Sequence, residues 1–183
     1  MSERVKYISV LRGINVGGKR KILMADLKKL YSELGFTDCI SYIQSGNVIF
    51  EYQNVSNSIL EAKLEDAILE KYGFEVPVIV RTQSEWEQSV LSNPYTDSYE
   101  KESLFITFLN ETPKAELSEA LSEFNFEPDR FQIIDKDVFI YCLGQYHKTK
   151  LSNQFFESKL KVKATTRNWN TALKLLELSA EEE

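Results

Sequence analysis

The sequence predicts an α+β protein of two ferredoxin-like βαββαβ halves, a duplication completed by a linking helix and a C-terminal helix. Three observations lead there. Over residues 1–81 the hydrophobic period switches between two and 3.6 in the order strand, helix, strand, strand, helix, strand. After residue 103 the same order recurs. Turn residues and helix caps fall at the points where the period changes. The expected organisation is a first half at 1–81, a linking helix and loop at 82–102, and a second half with its C-terminal helix at 103–183, all in one compact unit.

In the first half, residues 5–11 read as a strand. Met24, Leu27, Leu30, Tyr31 and Leu34 fall on one face of a helix that stops at Gly35. Residues 39–43 and 48–52 read as strands joined across Ser45-Gly46. Ser58 and Glu61 have capping-box spacing ahead of the stripe Leu60, Leu64, Ala67, Ile68 and Tyr72, Gly73 ends that helix, and residues 75–80 are a strand again. Thr82 with Glu85 is a second capping box, which makes residues 83–91 the linking helix ahead of a polar loop at 92–102.

The second half starts with a strand at 104–109. Thr112-Pro113 cap and start a helix with Leu117, Leu121 and Phe124 on its stripe. Residues 131–134 pair with 138–143 across Asp135-Lys136-Asp137, residues 153–160 form a helix, and 162–165 a short strand. Trp169, Ala172, Leu173 and Leu176 mark the final helix. The two halves show no sequence repeat.

Composition narrows the classes of function. At 43% hydrophobic, a chain of 183 residues buries a solid core. No apolar run approaches the roughly 20 residues of a membrane span, and the N-terminus MSERVKYISV is charged where a secretory signal is apolar, so the expected location is cytoplasmic with no membrane partner. Cys39 and Cys142 sit in apolar, strand-like runs and are expected as buried free thiols. His147 is the only histidine, which excludes a two-histidine metal site and leaves a Ser-His-Asp relay without a nucleophile. No metal site, acid/base pair or cofactor is identifiable.

The net charge of −6 hides two basic islands. Residues 1–30 carry eight basic and two acidic side chains, residues 145–174 carry seven and one, and residues 31–144 carry seven and 21. Basic clefts on an acidic body concentrate anions.

The first island holds LRGINVGGKRK, with the G-x-x-x-x-G-K of a nucleotide-hydrolase loop at Gly13, Gly18 and Lys19. Such a loop needs a Ser or Thr after the lysine to hold Mg²⁺, and a helix that starts there. Arg20 stands in the hydroxyl position and the helical stripe starts only near Met24, so an ATPase or GTPase is not expected. Asn15, Gly17 and Gly18 can all take φ > 0, which would let successive amides converge on an anion.

In a βαββαβ half, the end of the first strand lies beside the hairpin between strands two and three, which brings Arg12, Gly13, Ile14 and Asn15 next to Gln44, Ser45, Gly46 and Asn47. The last three also read simply as the turn a hairpin needs. In the second half the same topology brings Lys148 and Lys150 to the exit of the last strand, at Thr166-Arg167-Asn168. There Asn168 also reads as an N-cap, and Trp169 as core.

The stretches LRGINVGGKRK, MADLKKLYSELGF, YIQSGNVIF, GFEVPVIVRT, TKLSNQFFESKLKV and ATTRNWNTALKLLEL together resemble the bacterial domain-of-unknown-function family 1697. The similarity is close over residues 1–81 and 149–178. The resemblance implies a duplicated ferredoxin-like fold and no established activity. It marks residues 12–19, Ser45-Gly46-Asn47 and 166–170 as hallmark stretches without giving them roles.

The expected function is binding of an anionic, phosphate-bearing small molecule in a groove between the halves. Arg12, Lys19, Lys150 and Arg167 would supply charge, amides around Gly17, Gly18 and Gly46 a cradle, and Asn15, Ser45, Asn47 and Asn168 orientation. Two alternatives belong to other classes: single-stranded nucleic-acid binding through a sheet and its basic islands, and a protein-interaction module without a small ligand.

Overall fold

The computed structural model describes residues 2–180. It divides into two compact units, one made of the chain up to Glu87 together with the segment from Lys174, the other of Gln88–Leu173. Among the described residues no helix is long and apolar enough to cross a membrane.

In the first unit the order is β1 (Arg4–Leu11), α1 (Met24–Glu33), β2 (Thr37–Tyr42), β3 (Asn47–Gln53), α2 (Asn57–Tyr72) and β4 (Val78–Thr82), followed by α3 (Gln83–Leu91). The strands form an antiparallel sheet in the order β2-β3-β1-β4. Tyr7 and Leu11 alternate onto the helix-bearing face of β1 and pack with Leu27, Tyr31, Phe36, Phe50 and Leu64. The rings of Phe36 and Phe50 lie 4.5 Å apart, and those of Tyr7 and Phe50 are stacked at 5.5 Å. Ser9 lies between them on that face, where a bare hydroxyl would be costly; its Oγ is bonded to the Tyr31 hydroxyl at 2.8 Å and donates to the Val48 carbonyl at 3.0 Å.

The second unit repeats the order as β5 (Leu104–Leu109), α4 (Ala115–Ser122), β6 (Arg130–Ile134), β7 (Asp137–Tyr141), α5 (Asn153–Leu160) and β8 (Ala164–Asn168), with α6 (Trp169–Ala180) following β8. Its sheet runs β6-β7-β5-β8, and its core gathers Leu121, Val138, Ile140, Phe156 and Leu160. The protein is thus a duplicated ferredoxin-like α+β fold.

The edge strands β4 and β8 are sealed in the same way. Glu61 and Glu65 of α2 accept from the amides of Val80 and Val78, each at 3.0 Å, and Glu157 of α5 accepts from the Ala164 amide at 3.1 Å. A carboxylate pointed at an outward N–H removes the donor that another chain would use.

Several boundaries differ from the sequence expectation for local reasons. Glu61 is spent on β4, so the Ser58/Glu61 box does not form and α2 begins at Asn57 without a side-chain cap. Residues 112–113 precede α4, whose N-cap is Lys114, and Phe124 lies beyond its end, 49% exposed. Pro77 has no N–H to give a ladder, and β4 starts after it. β8 starts and ends later than its apolar run, so Arg167 and Asn168 are strand residues opposite Ile106 and Phe105 rather than an exit loop. The Thr82/Glu85 box does form, with Glu85 N donating to Thr82 Oγ1 at 3.1 Å and Thr82 N to Glu85 Oε2 at 2.8 Å. Both cysteines are free thiols; Cys142 is buried and Cys39 half-buried.

Candidate functional site

The end of β1 is clamped from both sides. Leu11 N donates to Gly46 O at 2.8 Å and Arg12 N to Pro77 O at 3.0 Å, which brings residues 12–15 beside residues 44–47 at one edge of the sheet. From there the chain makes a small ribbon before α1. Val16 and Lys19 pair as an antiparallel bridge, Lys19 N donates to Val16 O at 3.0 Å, and Asn15 N to Arg20 O at 3.1 Å. Gly17 and Gly18 form its tip with φ of 59° and 72°, values at both central positions that a two-residue turn of this hand demands.

Asn15 ties the ribbon down. Its φ is 56°, its Nδ2 donates to Ile22 O at 2.9 Å and Gln44 O at 2.8 Å, and its Oδ1 accepts from Ile22 N at 2.9 Å. Both amide protons are consumed, so Asn15 positions the loop rather than a ligand. Asn47 is used in the same way: it is buried, and its Nδ2 donates to Tyr42 O and Ser45 Oγ, each at 2.9 Å. Gly46 takes φ 88° under Ile14, where an added Cβ would stand 2.7 Å from Ile14 Cδ1 and 2.9 Å from Leu11 Cβ. Ser45, Gly46 and Asn47 therefore close the hairpin and support the ribbon at once.

This geometry changes how an anion could be held. Gly17 and Gly18 share one hand of φ, and the Lys19 amide is spent within the turn, so the backbone makes a hairpin tip rather than a cradle of converging amides. Charge comes from side chains. Lys19, Arg20 and Lys21 are exposed and Arg12 is half-buried. Arg20 leans back over the loop, its Nη1 3.3 Å from where a Cβ on Gly13 would be. Beside the ribbon is a cavity of about 420 Å³ bounded by Gly18, Lys21, Leu23, Asp26, Gln44 and Tyr72. The Tyr72 hydroxyl is buried without a hydrogen-bond partner, and burial, reinforced by the charges of Asp26 and Glu33, raises its pKa. The sequence marks Tyr72 only as the end of the α2 stripe and does not mark Asp26; the topology, which returns the end of α2 to the end of β1, brings them here.

The second basic island is built differently. In the loop at 142–152, the Tyr146 hydroxyl lies within hydrogen-bond distance of Leu151 O at 3.2 Å and Thr166 Oγ1 at 3.1 Å, while Asp129 accepts from Thr149 Oγ1 at 2.6 Å and Leu143 N at 3.1 Å. Lys148 and Lys150 are exposed on this loop. Arg167 is 8% exposed, its Nη1 donates to Thr166 O at 2.9 Å, and burial lowers its pKa to about 10. Arg81 occupies the matching place in β4, opposite Ile8 as Arg167 is opposite Ile106, and its Nη1 donates to Val80 O at 3.3 Å. Asn168 caps α6, its Oδ1 accepting from Thr171 N at 2.8 Å, as Thr82 caps α3. Arg167 and Asn168 thus belong to a repeated structural device, an arginine inside the last strand followed by a helix cap. The first island lies where the first strand of its half ends, the second where the first strand of its half begins.

A family model described as "Protein of unknown function (DUF1697)" matches residues 5–139. Among solved structures, a conserved bacterial protein from Streptococcus pneumoniae is similar over 97% of this chain and 99% of its own, with a TM-score of 0.78 at 24% identity, a likeness of fold. No curated protein matches the chain.

Proposed function

The chain belongs to the DUF1697 family of proteins of unknown function, and on that footing we propose that it binds a phosphate-bearing small molecule at the basic end of its first half. The observation that carries this reading is the ribbon at residues 12–23, which displays Arg12, Lys19, Arg20 and Lys21 within one loop pinned by Asn15. A unit pair at 4 Å gains only about 1 kcal/mol in water, but several cations on a fixed loop act together on a multiply charged group, and a pinned loop loses little entropy when it binds. In this reading the phosphate meets the basic run, and the neighbouring cavity takes the rest of the ligand, with Leu23 as its apolar wall and Asp26, Gln44 and Tyr72 as its polar groups.

Thermal unfolding with pyrophosphate, ribose 5-phosphate and adenosine monophosphate, against chloride at equal ionic strength, tests the reading. A ligand at a hundred times its Kd adds about 2.7 kcal/mol of stability. At least one of the phosphate compounds is expected to raise the melting temperature of the intact chain, and the K19S/R20S/K21S variant is expected to lose that rise. A panel in which none of them exceeds chloride contradicts the proposal.

A further inference from the structure

We propose that the free edge of β6 is a docking site for an extended basic peptide, which joins the second sheet as an added strand. The phase of the ladder exposes the backbone that would pair. Leu109 N donates to Lys136 O at 2.9 Å, so Lys136, Val138 and Ile140 turn their backbone groups toward β5. Asp137, Phe139 and Tyr141 then face β6, opposite Ile134, Gln132 and Arg130. Phe131 and Ile133 are left with N–H and C=O directed to the side where no strand of this sheet lies.

The other half provides the contrast. Its equivalent edge strand, β2, shifts register between Thr37 and Ile40, with Asp38 at φ 52°, an irregularity of the kind that blunts an edge. β6 pairs in continuous register over its whole length. A cavity of about 500 Å³ opens beside it, bounded by Phe131 and Ile133 of the strand, Ser118 and Glu119 of α4, and Phe124 and Glu127 of the following loop.

Charge selects the occupant. Glu119 and Glu127 are exposed and, with Asp129, outnumber Arg130, the one basic side chain bordering the cavity, and α4 has no basic residue in its last turn. A second copy docked on the same edge would bring its own Glu119 and Glu127 against these, like charge against like. A peptide alternating basic and apolar side chains satisfies both the backbone row and the cavity.

The test is fluorescence anisotropy of the full chain with a labelled seven-residue peptide alternating arginine and valine, its glutamate–valine counterpart, and a copy N-methylated at alternate amides. Ile133→Pro removes an outward N–H and no ladder bond, a substitution that edge strands accept. The basic peptide is expected to bind, with affinity falling roughly tenfold on N-methylation and on Ile133→Pro. The glutamate peptide is expected not to bind, and Glu119→Lys with Glu127→Lys, which leaves the strand untouched, to weaken the basic peptide comparably. Equal binding of both peptides, binding indifferent to both sets of substitutions, or self-association of the chain through this edge in place of peptide binding would overturn the proposal.

Discussion

The two halves of this molecule answer the same folding problem twice, and the bonds they share separate what the fold requires from what it does not. Leu11 N to Gly46 O is matched by Leu109 N to Lys136 O, at 2.8 and 2.9 Å, and Arg12 N to Pro77 O by Asn110 N to Lys163 O, at 3.0 and 3.1 Å. Glu65 on Val78 is matched by Glu157 on Ala164, Arg81 by Arg167, and the Thr82 cap by Asn168. The connections, by contrast, diverge. From first strand to first helix the chain takes residues 12–23 in one half and 110–114 in the other; from third strand to second helix it takes 54–56 in one and 142–152 in the other. Each half therefore closes with a short turn at the end where its counterpart is elaborated. Each long segment lengthens a connection that the other half makes in three to five residues, and long connections are where binding residues concentrate.

The strongest way to break this comparison is at the paired hairpins. Gly46 and Lys136 both give their carbonyl to the first strand of their half, but only Gly46 is also wedged under the ribbon, at φ 88°. Gly46→Ala is expected to cost about 3 kcal/mol, from left-handed strain and the contact with Ile14 and Leu11, whereas Lys136→Ala is expected to stay within about 1 kcal/mol. Urea unfolding of the two variants checks this; similar losses would mean that the ribbon adds no constraint of its own.

A smaller effect sharpens the likeness. Thr82→Ala and Asn168→Ala each remove one capping bond at equivalent positions and are each expected to cost about 1 kcal/mol. Calorimetry that found one cap several times more valuable than the other would show the halves to be alike in topology but not in energetics.

How much of this was legible in the sequence follows from where the information lies. Order and type of elements are written in local periodicity: the stripe from Leu27 to Tyr31, the Thr82/Glu85 spacing and the apolar run of β5 each identify their element alone. Glu61 shows the limit, since its spacing from Ser58 suits a cap while its carboxylate serves β4, a partner nineteen positions away that periodicity does not reveal. Arg167 shows it again. Thr166-Arg167-Asn168 contains no apolar side chain, so the segment reads as the exit from a strand that stops at residue 165 until pairing with β5 extends the strand and buries the guanidinium. At the ribbon, the glycines announced a special backbone, but its form depends on Asn15 reaching Gln44 across the hairpin. The neighbourhood of residues 12–15 and 44–47 follows from topology alone.

Whether the first-half ribbon rather than the second basic island holds phosphate is read directly from the amide spectrum of the labelled chain titrated with pyrophosphate. Shifts confined to residues 12–23 and 43–47 are expected, saturating together, with residues 144–151 unmoved at the same concentration. Saturating shifts at residues 144–151 with a silent ribbon, or weak unsaturated shifts at both islands alike, would contradict the ribbon as the phosphate site.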